Sequence, residues 1–248
     1  MPPRRRSILL DRLRVDAPGR PQDAILDELR RAFLSGAAPP GTPIPVGDIA
    51  ELFGVSRIPV REALKTLIGE GLVSHRRNHG YTVAQLTAAE LRELYLVRET
   101  LESASLAAAV RNATEEDDRR VRETHAILEK AVLECDSLTY HRESRTFHMA
   151  LTRPSRMHRL LHMLDYTWNM TEPVQPMVHV GDAERAELHH EHEVMLEAFL
   201  ARDTEALLAA SEHHNRRLDE AIAGLSVEAG LLAADEDDPL RPEDIQFG

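Results

Sequence analysis

Apolar positions in the first twenty residues show no period. From Pro21 they recur at helical spacing, at Ala24, Ile25, Leu29, Ala32 and Phe33, which marks one buried helix face. Pro39-Pro40-Gly41 ends that helix, and a short extended piece, residues 42–45, follows. Val46 to Phe53 reads as a short helix with Ile49, Ala50, Leu52 and Phe53 inward. Gly54 suits the left-handed turn that closes a helix. Ser56 is a candidate N-cap for a second helix to about Glu70, with Pro59 in its first turn. Val60, Ala63, Leu64, Leu67 and Ile68 give that helix one apolar stripe. Leu72-Val73 and Tyr81-Thr82-Val83 then read as two short strands around His75-Arg76-Arg77-Asn78-His79-Gly80.

Beyond residue 86 the period stays helical. Thr87-Ala88-Ala89-Glu90 is a capping box opening a helix to about Arg111, and Thr114 with four acidic residues after it opens another to about Cys135. Further helical stretches cover 137–152, 155–171, 182–201 and 203–225, with no strand signal between them. The expected fold is mainly α: an N-terminal winged helix-turn-helix and a C-terminal all-α bundle of about six helices. Residues 1–17 read as a flexible arm and 226–248 as a disordered acidic tail.

Charge sharpens this division. The chain of 248 residues has a net charge of −12, which taken whole argues against a nucleic-acid partner. It is uneven, however. Residues 1–85 carry 13 basic and 9 acidic side chains, a net of +4; residues 86–225 carry 16 and 26, and the tail 1 and 7. Two units with different partners are implied. One cysteine, Cys135, excludes a disulfide framework and a thiolate zinc cluster. No stretch approaches 18 apolar residues, so no membrane span is expected and the cytoplasm is the default location.

Two constellations carry chemistry. Arg57, Arg61 and Lys65 recur every four residues along the second helix of the helix-turn-helix, about 46–65, opposite its apolar stripe. A basic face on a helix with a buried back suits the DNA major groove, and the hairpin after it forms a wing. An ordinary solvated basic face is the alternative. In the bundle, His148, His192 and His214 each lie on a mainly apolar stripe of a different helix, whereas His190 and His213 lie on more charged faces. The three could converge on a divalent metal or be three separate core histidines. Enzyme signatures are missing: Leu196 stands where the second histidine of an H-E-x-x-H string would be. A metal-dependent hydrolase built on the three histidines, and a helical sensor or scaffold with a vestigial DNA module, are the competing classes.

The ordered run Gly54-Val55-Ser56-Arg57, Pro59-Val60-Arg61-Glu62-Ala63-Leu64 and Glu70-Gly71-Leu72-Val73, preceded by Pro40-Gly41-Thr42, resembles the winged-helix domain of GntR-family transcription regulators over about 18–86. The resemblance implies that Ser56, Arg57 and Arg61 contact double-stranded operator DNA and that His79 and Gly80 of the wing lie near the minor groove. Lys65 is then the candidate phosphate contact. Gly47 stands where the family often has a DNA-contacting arginine. Residues 87–225, most closely 92–217, resemble the FCD-type (fatty-acid-regulator-like) effector and dimerisation domain, on Leu91–Arg98 with Leu101-Glu102, Phe147-His148, Glu191-His192 and Arg202-Asp203 before His214. This implies a homodimer on a palindromic operator, usually as a repressor, and a small organic-acid effector. It also implies a divalent metal (Zn, Ni or Mn) held by one Asp and three His. His148, His192 and His214 match the histidines, but Ser144 occupies the Asp position. Glu143 lies about 140° round the helix from His148 and cannot replace it. His141 faces the same way as His148. Arg98, His141 and Arg145 are the candidate effector contacts; an ordinary surface ion pair is the alternative for either arginine, and the favoured one for Arg145.

Overall fold

A computed structural model describes residues 7–14, 21–77, 79–223 and 232–233. Its described residues form two compact units. The first takes those up to Glu90 together with Asn169–Val174 and Leu232-Ala233; the second takes Leu91–Trp168 and Gln175 onward through the last helix.

The first unit holds α1 (Pro21–Leu34), β1 (Pro43–Ile44), α2 (Val46–Leu52), α3 (Arg57–Gly69), β2 (Val73–Arg76) and β3 (Gly80–Val83). Ile25, Leu29 and Phe33 from α1, Ile49 from α2 and Val60, Leu64 and Leu67 from α3 form its core, all fully buried. Gly54 turns α2 into α3 at φ +65°, a conformation that costs a residue without Cβ little. Ser56 takes the N-cap backbone conformation of α3, but its side chain makes no capping hydrogen bond. Arg30 on α1 holds the far end of α3: its Nε and Nη2 donate to the two carboxylate oxygens of Glu70 at 2.9 and 2.7 Å. The sheet order is β1-β3-β2, all antiparallel, with Ser74 opposite Thr82 and Arg76 opposite Gly80. The hairpin is longer than the sequence pattern implied, and His75 and Arg76 belong to the strand.

Both expected loose ends need correction where they are described. Ile8–Arg12 forms a turn of 3-10 helix, and Leu9 and Leu10 are buried in the core of the first unit. Two leucines hidden from water outweigh the missing helical period. Arg4, Arg5 and Arg6 lie outside the described residues. At the other end Leu232 and Ala233 are buried, and the Ala233 N–H donates to the Leu86 carbonyl at 2.8 Å, beside a parallel bridge to Thr87. The rest of the expected tail lies outside the described residues. Leu9→Ala is expected to destabilise the first unit by about 2–5 kcal/mol. Thermal unfolding followed by circular dichroism reads this, and an unchanged Tm would show that the arm contributes nothing.

The second unit is helical: α4 (Ala88–Asn112), α5 (Glu115–Leu133), α6 (Ser137–Thr152), α7 (His158–Thr171), the short α8 (Pro176–His179), α9 (Asp182–Leu200) and α10 (Thr204–Ala223). The anticipated capping box forms at Thr87, and a second, not anticipated as a box, forms at Thr114. Thr87 N–H donates to Glu90 and Glu90 N–H to Thr87 Oγ1, and Thr114 exchanges the same pair of bonds with Asp117. The helix expected over 155–171 begins later. Pro154 sits in a 3-10 turn, Arg153–Ser155, and Arg156 turns left-handed at φ 57°, so α7 starts at His158. No described helix is long and apolar enough to cross a membrane.

Candidate functional sites

On the first unit, α3 presents one face to its own core and the other to solvent. Ser56, Arg57, Arg61 and Lys65 are all exposed. Arg57 and Arg61 have no ion-pair partner among the described residues. Lys65 Nζ lies 2.8 Å from Glu62 Oε1, with both side chains largely in water. An exposed pair of this kind contributes about 0–1 kcal/mol, so Lys65 remains available to another anion. Between α3 and the wing lies a concavity of about 830 Å³, lined among others by Ile58, Arg61, Lys65, Gly80 and Tyr81. A second, of about 1000 Å³, is lined by Arg57, Gly47, His79 and Gly80. Gly80, at φ +88°, lets the chain reverse into β3. His79 is exposed at the wing tip. A Cβ on Gly47 would stand 3.4 Å from Arg57 Nη2, in ordinary contact with the first residue of α3. The guanidinium of Arg57 thus rests against the place where a larger side chain would be.

In the second unit the three inward histidines meet. His148 comes from α6, His192 from α9 and His214 from α10, each at most 2% exposed. Their facing nitrogens lie within 4.8 Å of one another. His192 Nε2 is 3.2 Å from His148 Nε2 and 3.3 Å from His214 Nε2. Each ring is held from behind through Nδ1. Glu102 Oε2 is 3.1 Å from Nδ1 of His148, Glu191 Oε2 is 3.1 Å from Nδ1 of His214, and Tyr140 Oη is 3.4 Å from Nδ1 of His192. A carboxylate accepts from an N–H, so Nδ1 of His148 and His214 carries the proton and each Nε2 lone pair faces the centre. Burial, together with the neighbouring imidazoles, holds His192 well below the usual histidine range. Burial pushes His214 down to about 4 against the opposing pull of Glu191. Burial would raise Glu102, but His148, Arg98 and His214 outweigh it and hold the carboxyl below its usual range. His192 and His214 are thus held as neutral imidazoles and Glu102 as a carboxylate, and neutral imidazole is the form in which histidine binds metals. The alternative of three separate core histidines does not hold.

The remaining expected site residues fall differently. Ser144 is buried on α6, and Glu143 pairs with Arg142. His141 is also buried but is not a member of the cluster. Arg145 is engaged with Asp165 at 2.6 Å, the ordinary ion pair. Arg98 is 2% exposed, its guanidinium 4.1 Å from the ring centroids of both Tyr95 and Trp168. Its Nε lies 3.7 Å from Glu102 Oε1, and its Nε and Nη2 are buried without a hydrogen-bond partner. Trp168 in turn lies 5.6 Å from the His148 ring. Tyr140 and Trp168 carry no signal in the sequence pattern, and Glu102 and Glu191 enter it only as parts of the family resemblance, not as site residues. Glu102 was discoverable, since it stands one helical turn after Arg98 on the same face.

Known proteins agree with both halves. The FCD domain family matches residues 93–217, half of the chain, and the gntR family of bacterial regulatory proteins matches residues 21–83. McbR of Escherichia coli strain K12, an HTH-type transcriptional regulator, is 28% identical over 72% of this chain and 82% of its own length. The gluconate operon transcriptional repressor of Bacillus subtilis strain 168 is 28% identical over 76% of this chain and 79% of its own. The solved structure of E. coli McbR/YncC has the same fold, with a TM-score of 0.73 at 24% identity, covering 83% of this chain and 98% of that one.

Proposed function

The chain belongs to the gntR family of bacterial transcription regulators and carries an FCD domain, and from this premise we propose that it is a cytoplasmic, ligand-responsive repressor. It binds a palindromic operator as a homodimer, each winged helix reading one half-site. Arg57 and Arg61 read guanine in the major groove, where a guanidinium can bond O6 and N7 together. Lys65 exchanges Glu62 for a phosphate, Ser56 contacts the backbone at the start of α3, and His79 and Gly80 bring the wing tip to the minor groove.

The observation that carries the sensing role is the convergence of three Nε2 atoms, each backed through Nδ1 by an oxygen. This donor set fits a divalent cation, which His148, His192 and His214 would hold, and the cation would supply fixed positive charge for a carboxylate. The set contains no anionic ligand, because Ser144 replaces the carboxylate that the family resemblance implies. That leaves more of the ion's charge for the effector to neutralise. Arg98, clamped between Tyr95 and Trp168 with two unsatisfied donors, binds the same acid. The effector controls transcription only if it binds one arrangement of the dimer better than the other.

Three imidazoles favour zinc or nickel over manganese, which prefers oxygen ligands. In metal-stripped full-length protein, zinc and nickel are therefore expected to raise Tm more than manganese at equal concentration, read by scanning fluorimetry. A larger response to manganese would contradict the ligand set. Glu102→Gln keeps the size of the side chain that orients His148 and is expected to weaken metal binding about 10–100-fold. Coupling has its own test. A small carboxylic acid that raises the Tm of the metal-loaded protein must also change operator affinity, and an acid that does the first alone contradicts the regulatory reading.

A further inference from the structure

One exposed side chain on the DNA-facing surface is left without a task. Ile58, in the first turn of α3, is 71% exposed. The apolar residues that build the core from this helix are Val60, Ala63, Leu64 and Leu67, all fully buried. Ile58 is not part of that stripe. It lies three residues before Arg61 and seven before Lys65, so all three share one helix face. They also line the same concavity, with Gly80 and Tyr81 of the wing opposite. A β-branched residue in water at a helix start gains nothing for folding. Beside it Arg61 and Lys65 face outward, and Glu62 of the same lining is paired with Lys65, which leaves the Arg61 cation to an outside anion such as nucleic acid.

Resting on the operator-binding reading above, we propose that Ile58 sets sequence specificity by packing against the C5-methyl group of a thymine next to the guanine read by Arg61. The major-groove edge of a thymine offers one apolar group, its methyl, and an apolar side chain long enough to reach it recognises it by contact; alanine at this position would stop short of it. The residues at the start of a recognition helix are the ones that reach base edges. Ser56 and Arg57 are polar, Pro59 is half-buried, and Ile68 stands at the far end of the helix. Ile58 is therefore the one exposed aliphatic side chain placed to make this contact in the first turn of α3.

The test uses the full-length protein. Its operator is first enriched from a pool of random duplexes. Each thymine of the half-site is then replaced by deoxyuridine, which removes only the methyl group, and affinity is measured by fluorescence anisotropy. At one thymine position, substituted in a single half-site, the wild-type protein is expected to lose about four-fold in affinity, the value of one buried methyl. Ile58→Ala, whose side chain makes no core contact, is expected to bind thymine and uracil operators alike at that position and elsewhere to behave as wild type. The inference is overturned if no thymine shows a uracil penalty in the wild type, or if Ile58→Ala keeps the penalty. A wild-type protein that enriches no sequence overturns the operator-binding reading itself, and this inference with it.

Discussion

Arg61→Ala is expected to abolish specific operator binding at working concentrations while leaving the fold intact. The side chain is exposed on α3 and takes no part in the core, so its removal should change stability by no more than about 0.5 kcal/mol. A bidentate guanine contact is worth about 1–3 kcal/mol. A palindrome loses it twice, roughly thirty-fold in affinity or more. Specificity should relax at one base pair of each half-site. Lys65→Ala should behave differently, weakening all sequences alike and reducing the salt slope by about one. A footprint of Arg61→Ala equal to that of the wild type would refute the role given to Arg61.

His192→Ala is expected to remove the response to divalent metal. Its Nε2 lies between those of His148 and His214, at 3.2 and 3.3 Å, so no pair of the remaining nitrogens replaces it. At a metal concentration a hundred times Kd, the wild-type protein should gain about 2.7 kcal/mol of stability, and the variant a small fraction of that. The quantity to read is the change on adding metal, because the cavity left by the imidazole lowers the baseline as well. His190→Ala provides the contrast. His190 is two residues away but faces solvent, paired with Glu193, and its variant should keep the full response. Equal metal shifts in both variants would remove the three histidines from the site.

Much of this was readable in the chain because periodicity survives without contacts. The stripe Val60, Ala63, Leu64 and Leu67 fixed both the buried and the exposed face of α3, and with them the positions of Arg57, Arg61 and Lys65. His148, His192 and His214 were legible for the same reason, each sitting on an apolar stripe. What the stripes could not supply was the distance between helices far apart in sequence. The pairing of Glu191 with His214 spans α9 and α10, and that of Glu102 with His148 spans α4 and α6. Neither acid announces its histidine locally. Arg145 shows the reverse case, since its face on α6 was readable but Asp165, which engages it, comes from α7. Leu9 and Leu232 were misjudged because short apolar segments amid proline, glycine and charge have no period to read, yet both are buried.

On the function proposed above, this acidic chain binds DNA sequence-specifically through one modest basic surface. The direct measurement is the affinity of the full-length protein for its enriched operator and for a scrambled duplex, by anisotropy across a salt series. Binding is expected to be tighter to the operator at every salt concentration, with a steep linear fall of log K with log salt as phosphate contacts release counterions. Equal affinity for both duplexes with a flat salt response would contradict it.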